Sequence, residues 1–354
     1  MTTETPILNE HKQSCGSASA EGKCACVMPS ASKFAAGKQE YPPMHNGEFD
    51  KLQIITFEQG YAIRGIAMLL IIFVHSINEY EYYNSVLSNV LLIPHFGVFG
   101  CSIFFFMSGY GVLSSLNTNR NNTSFFYILR QIVKIMTPVA LVYVINSILL
   151  PYTTSYNNVS IDYLNIMRLC LPEGTDIWFI KIILFDYITT FLLFKLVKKH
   201  LRLLLSITIA QVVLIIILYI CKFGSYWYVS NLCFVFGASY TLYAKQVKKY
   251  IGILTLILTT CYICMINGII SAPIQIINNI AFCIITIYYL SNKAKWPKWL
   301  QFIGKNSLYY YLFNIPVMWL IPSNNIHFSV YFIANIIFTI IIVLLYIKVD
   351  KLIK

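Results

Sequence analysis

The chain has 354 residues, 58% hydrophobic and 11% charged, with a formal net charge of +12 and a mean hydropathy of +0.67. Soluble domains run at about 45–50% apolar and about 25% charged, so this composition excludes a compact soluble enzyme and points to lipid. Nor does the basic charge make a nucleic-acid protein, because in a multispan chain Lys and Arg first fix topology.

Residues 1–50 are rich in Ser, Ala, Gly, Lys and Pro, without an apolar run long enough for a secretory signal or a span. They read as a disordered cytoplasmic tail ahead of a transmembrane domain over 51–354. The tail holds Cys15, Cys24 and Cys26 with no nearby His or second Cys pair, and the other seven cysteines lie in or beside apolar segments. Neither a metal site nor a disulfide framework is expected.

From Tyr61 onward, apolar stretches place spans near 61–78, 96–116, 131–150, 176–195, 203–221, 226–243, 250–268, 273–291, 302–321 and 328–348. The fold class is therefore all-α integral membrane, a bundle of about ten transmembrane helices. Gly97, Gly100, Gly109 and Gly111 crowd the second span and suit close helix packing.

Loop charges support an even count. Lys and Arg of the N-terminal side, the even-numbered connections and the C-terminus make up 23 of the 26, all but Arg168, Lys181 and Lys222. Most loop carboxylates, Glu79, Glu81, Asp162, Glu173 and Asp176, lie on the other side. Both termini are expected in the cytoplasm, in a multi-pass protein of the inner (plasma) membrane surrounded by lipid.

Charged side chains within spans cost at least about 2.5–3.5 kcal/mol at the bilayer centre, so each is a functional candidate. In the first span Arg64 and His75 are eleven positions apart. Eleven steps of about 100° return to nearly the same face, about 16 Å along the axis. Glu79, four residues past His75, lies near that face and within reach of a ring nitrogen. The arrangement suits a long ligand with phosphates at Arg64 and its far end at a neutral imidazole, and the phosphopantetheine arm of coenzyme A has that length. The plain readings are Arg64 as a topology anchor and His75 as a structural hydrogen-bonding group.

With these residues the chain resembles the acyltransferase-3 family of multispan membrane acyltransferases that modify cell-surface glycans. Arg64-Gly-Ile-Ala followed by His75 is similar to the family's Arg-x10-His opening, and Gly97 through Ser108-Gly109-Tyr110 to its second helix. Trp178-Phe-Ile is similar to its Trp-aromatic-aliphatic segment. Tyr226-Trp-Tyr and Phe234-Val-Phe-Gly237 resemble later elements, and Phe302-Ile-Gly304-Lys305-Asn306-Ser307 through Tyr311-Leu312 resembles a further stretch. The likeness runs over about residues 57 to 345.

The resemblance implies a cytoplasmic acyl-CoA donor, acetyl-CoA above all, and an acceptor hydroxyl on the outer side. The expected acceptor is an envelope glycan or glycolipid, such as a capsular, lipopolysaccharide or exopolysaccharide unit. It makes Arg64 the donor-binding arginine and His75 the essential histidine. A neutral His75 can take the proton of the attacking hydroxyl with Glu79 holding its tautomer, and an acyl-histidine intermediate is the rival mechanism.

Two positions depart from the family. In place of paired arginines at the third helix stand Arg130 and Lys134, still on one face at i and i+4 and still suited to CoA phosphates. In place of a ninth-helix histidine stands Asn314, which hydrogen-bonds but cannot titrate and is expected to orient substrate. Lys305, opening the ninth span on the cytoplasmic side, is a further phosphate candidate on physical grounds.

In the fourth span Lys181 and Asp186, five residues apart and poorly placed to face one another, are each expected to pair across helices, Lys181, close to Trp178, with Glu79 or an acidic acceptor. Ser108 lacks a nucleophile elbow, and close packing at Gly109 is its simpler context. No histidine shows metal-ligand spacing, so no metal is expected. The rival class is a secondary transporter or glycan exporter, which would commonly carry an internal repeat, and the Arg-x10-His element has no second copy.

Overall fold

The computed structural model describes residues 55–84, 93–118, 125–149, 178–293, 295–321 and 326–353. The expected tail over 1–50 and the outer loop over 151–175 lie outside the described residues.

Ten α-helices and no strand are found among the described residues. They are α1 Phe57–Asn84, α2 Ile93–Thr118, α3 Phe125–Leu149, α4 Trp178–Leu196 and α5 His200–Ile220, then α6 Leu232–Ile266, α7 Ala272–Ser291, α8 Lys298–Lys305, α9 Ser307–Leu320 and α10 Phe328–Ile353. Six stretches are long and apolar enough to cross a membrane, at 57–80, 96–116, 200–220, 225–266, 272–291 and 328–349. The helix α4 falls outside this set because its 19 residues include Lys181, Asp186 and Lys195.

The outer faces are apolar where a soluble protein would be charged. On α5, Leu205, Ile209, Val213, Ile216 and Ile217 are exposed, while Leu204, Ile207 and Gln211 turn inward. Such a surface is stable only against lipid.

The ten observed helices are not the ten expected. The spans read at 226–243 and 250–268 are joined without a loop in one helical stretch, α6, of 35 residues. Its first part runs beside α7 in the same direction, with Asn279 Nδ2 donating to the Val229 carbonyl at 3.1 Å, and only residues 267–271 lead from its end to the start of α7, so the chain turns back within the stretch. At the join Lys245, Gln246, Lys248 and Lys249 are good helix formers, Ala244 and Val247 are buried, and the three lysines point outward. Conversely, the span read at 302–321 is two helices, α8 and α9, divided at Asn306. The Asn306 side chain donates to the Phe302 carbonyl at 2.8 Å, and its own carbonyl accepts from Tyr309 N at 2.9 Å. A local side-chain bond thus ends one helix as the next begins.

Glycines set the central crossings. A Cβ on Gly109 would run into the Phe234 carbonyl, and one on Gly237 into the Phe106 carbonyl, so the α2 and α6 backbones touch. Likewise Gly65 lies against the Leu300 carbonyl and Gly304 against the Tyr61 carbonyl, which presses α8 onto the start of α1. That start is closed by a capping box: Thr56 N donates to Gln59 Oε1 at 2.9 Å and Gln59 N to Thr56 Oγ1 at 3.2 Å. Gln59 Nε2 also donates to the Ser291 carbonyl at 2.7 Å, tying α1 to the end of α7. The helix carrying Arg64 and His75 is therefore held by neighbours on several sides.

Candidate active site

Arg64 lies two turns into α1, beyond the capping box. Its guanidinium carbon is 5.5 Å from the centre of the Tyr61 ring, a cation–π contact one turn back along the helix. Its Nε is buried without a hydrogen-bond partner. Beside it is a cavity of about 160 Å³ lined by Arg64, Ser108 and Gly111 of α2, Gln131 of α3, and Tyr187 and Phe191 of α4. A Cβ on Gly111 would meet nothing within 4 Å, so the missing side chain leaves room. The cavity thus offers a fixed cation with an unused donor, a hydroxyl and an amide, all competent to bind an anion.

His75, three turns beyond Arg64 on α1, is half-buried and meets a different set of helices. Its Nδ1 lies 3.3 Å from Asn314 Nδ2 on α9. Asn314 Oδ1 in turn accepts from Asn335 Nδ2 of α10 at 3.2 Å, and Asn335 Nδ2 also donates to Ser76 Oγ at 2.7 Å. Thr339 Oγ1 donates to Asn335 Oδ1 at 3.3 Å. Ser76, Asn314, Asn335 and Thr339 are all fully buried. A polar chain of this kind in a membrane interior is stable only because its members satisfy one another.

The expected residues separate into groups. Glu79 is half-buried one turn beyond His75, but among the described residues no hydrogen bond joins it to the ring. The group at Nδ1 is Asn314, because α9 packs along α1 and brings its amide to the ring. Asn314, expected to orient substrate, has both amide atoms engaged with His75 and Asn335.

Arg130, Lys134 and Lys305 are exposed, and none lines the Arg64 cavity. The α3 side chain that reaches the cavity is Gln131, one residue past Arg130. Lys305 follows Gly304, whose close contacts with Tyr61 and Gly65 set it at the level of Arg64 on the outside of α1.

Trp178 opens α4 in an aromatic cluster, its ring centre 5.5 Å from that of Tyr226 and 6.1 Å from that of Trp227. The cluster continues through Phe179 to Tyr311 of α9 at 5.6 Å, so the aromatic motifs of three separate stretches meet. Lys181 is half-buried on the same helix. Asp186, fully buried, accepts a hydrogen bond from Gln211 of α5, a cross-helix pairing of the kind expected. Ser108 lines the Arg64 cavity, while Gly109 beside it makes the α6 crossing, the close packing expected there.

Sequence reasoning missed Ser76, Asn335 and Thr339. The available signal was an Asn and a Thr one turn apart on α10, in a run that is otherwise almost wholly apolar. No group of three or more His, Cys, Asp or Glu positioned for a metal occurs among the described residues.

An apolar outer shell around buried polar groups is how integral membrane enzymes and transporters are built, and here one helix bears a buried arginine and a histidine whose polar neighbours come from several others. The choice between those classes comes from the family: the model described as an acyltransferase domain, that of the acyltransferase-3 family, matches residues 62–348, and the chain belongs to that family. It is a membrane acyltransferase. Neither a curated protein nor a solved structure matches the chain.

Proposed function

We propose that the protein is an O-acetyltransferase that moves an acetyl group from cytoplasmic acetyl-CoA to a hydroxyl of an envelope carbohydrate, working in the inner membrane with both termini in the cytoplasm. The observation that carries this reading is Arg64: a cation with a buried, unpartnered Nε beside a cavity. Such a group is stable when an anion occupies the cavity, and a CoA phosphate meets that need. Arg130, Lys134 and Lys305, exposed on α3 and α8, would draw the nucleotide end toward the membrane.

His75 lies eleven residues along the same helix, about 16 Å deeper. This spacing supports the thioester reaching the ring while the phosphates stay near Arg64. In the proposed step the imidazole takes the acceptor hydroxyl's proton, the oxygen attacks the thioester carbonyl, and the C–O bond forms as the C–S bond breaks. The departing CoA thiolate takes the proton back from the ring. Trp178 and its aromatic neighbours offer a stacking surface of the sort that holds sugar rings, and Lys181 a cation for an acidic unit.

The test is acetyl-CoA binding and thiol release by the protein in nanodiscs, with and without an envelope-glycan fraction. The expected pattern is binding and release by the wild type, binding without release by His75→Ala, and weakened binding by Arg64→Ala. Thiol release by His75→Ala at the wild-type rate would overturn the assignment of the base. A wild type that neither binds CoA nor cleaves the thioester would overturn the acetyl-CoA reading as a whole.

A further inference from the structure

Asn335 is a fully buried amide in the apolar interior of α10, 21 residues from Asn314 and 259 from Ser76, both of which it hydrogen-bonds. A side chain of this kind is costly in lipid unless it serves its neighbours. Its neighbours lead to one atom, Nδ1 of His75, through Asn314.

We infer that Asn335 is a positioning residue that sets, through Asn314, which ring nitrogen of His75 carries the proton. The inference rests on the reading of His75 as the base. Asn314 occupies Nδ1, so base work falls to Nε2. A neutral imidazole offers a lone pair at Nε2 only when Nδ1 carries the proton, and Nδ1–H then needs an acceptor. Asn314 Oδ1 supplies it if the amide turns by 180° about its terminal bond, which exchanges O and N in place.

Turning Asn314 points its NH2 at Asn335, which must turn as well and present its own Oδ1. The ends of the chain permit this because both are hydroxyls. Ser76 Oγ, which donates to the Ile72 carbonyl at 2.8 Å in one sense, donates to Asn335 Oδ1 in the other. Thr339 Oγ1 changes from donor to acceptor. The same heavy atoms therefore carry the hydrogen bonds in either direction, one leaving Nε2 protonated and the other leaving it free to act as base. No proton travels along the amides. The hydroxyl's proton goes to Nε2, the resulting imidazolium keeps Nδ1–H on Asn314 Oδ1, and Nε2 returns the proton to the CoA thiolate.

Two substitutions separate this role from a structural one. Asn335→Leu keeps the volume and removes both polar functions. Asn335→Asp offers only acceptors when ionised, so it draws the Asn314 NH2 toward itself and leaves the Asn314 carbonyl on Nδ1–H. Nitrogen NMR of histidine-labelled protein in nanodiscs reads the ring directly, with the His75 signals assigned by their loss in His75→Gln.

Asn335→Asp is expected to show Nδ1 protonated and to recover activity relative to Asn335→Leu. Asn335→Leu is expected to lose that preference and lower kcat about tenfold, the worth of one net hydrogen bond, with KM for acetyl-CoA unchanged. Thr339→Val, a near-isosteric change, is expected to act in the same direction and covers the case in which the Leu variant does not accumulate. The same ring protonation in wild type, Asp and Val variants, or equal loss of activity in Asp and Leu, would overturn the inference. The NMR readout needs no turnover, so a wild type inert toward acetyl-CoA would sink the acetyltransfer reading and still leave the Asn335 role decided.

Discussion

Asn314 Nδ2 stands 3.3 Å from His75 Nδ1, bringing α9 and α1 together across 239 residues of chain. A carboxylate at this place could only accept a hydrogen bond from Nδ1–H, whereas an amide can donate to Nδ1 through its NH2 or, turned, accept from Nδ1–H through its carbonyl, and leaves the site uncharged. Asn314→Leu is expected to lower kcat about tenfold while leaving CoA affinity intact, by loss of one buried hydrogen bond. The measurement is thiol release at saturating acetyl-CoA alongside equilibrium CoA binding, and a fall in both would make Asn314 a structural residue.

Arg64 carries the opposite signature. Charge-assisted hydrogen bonds contribute about 1.5–3 kcal/mol, so Arg64→Ala is expected to weaken CoA binding about 10- to 100-fold. Arg64→Lys should recover part of it, because an ammonium keeps the charge but loses the fork. Titration of CoA against dephospho-CoA and pantetheine shows which part Arg64 holds: if pantetheine loses as much affinity as CoA, the arginine does not bind phosphate.

Two glycines two residues apart should behave in opposite ways. Gly109→Ala puts a methyl group into the Phe234 carbonyl and should force α2 and α6 apart, at the cost of thermal stability, CoA binding and thiol release. Gly111 faces open space in the Arg64 cavity, so Gly111→Leu should fold normally, fill the cavity and weaken CoA binding. Melting in detergent and CoA binding together separate the two, and a destabilised Gly111→Leu would place that residue in the packing rather than the pocket.

The continuity of α6 has a direct check. Lys248 is exposed near the middle of its 35 residues. Proline there removes a helical hydrogen bond and clashes with the preceding turn, so Lys248→Pro is expected to destabilise by about 3 kcal/mol. A melting temperature equal to wild type would mean that a loop rather than a helical join connects the two halves of α6.

What could be read along the chain was whatever depends on neighbours in sequence. The apolar excess requires a membrane, the eleven-residue spacing puts Arg64 and His75 on one side of α1, and glycines at 109 and 237 anticipate close crossings. Local signals failed where two local outcomes are alike in energy. Lys245, Lys248 and Lys249 suit a loop by charge and a helix by propensity, and burial of Ala244 and Val247 decides for the helix. The Phe302 to Ile321 run looks continuous until the Asn306 side chain takes the Phe302 carbonyl.

The partner of His75 lay beyond sequence altogether. On helical spacing Glu79 is the natural candidate, since periodicity reports only which residues share a face. What stands opposite that face is set by which helices pack together, and here the packing of α9 and α10 onto α1 brings Asn314 and Asn335 from far along the chain to the ring. A side chain pairs with the nearest group in space, and only the tertiary structure determines which group that is.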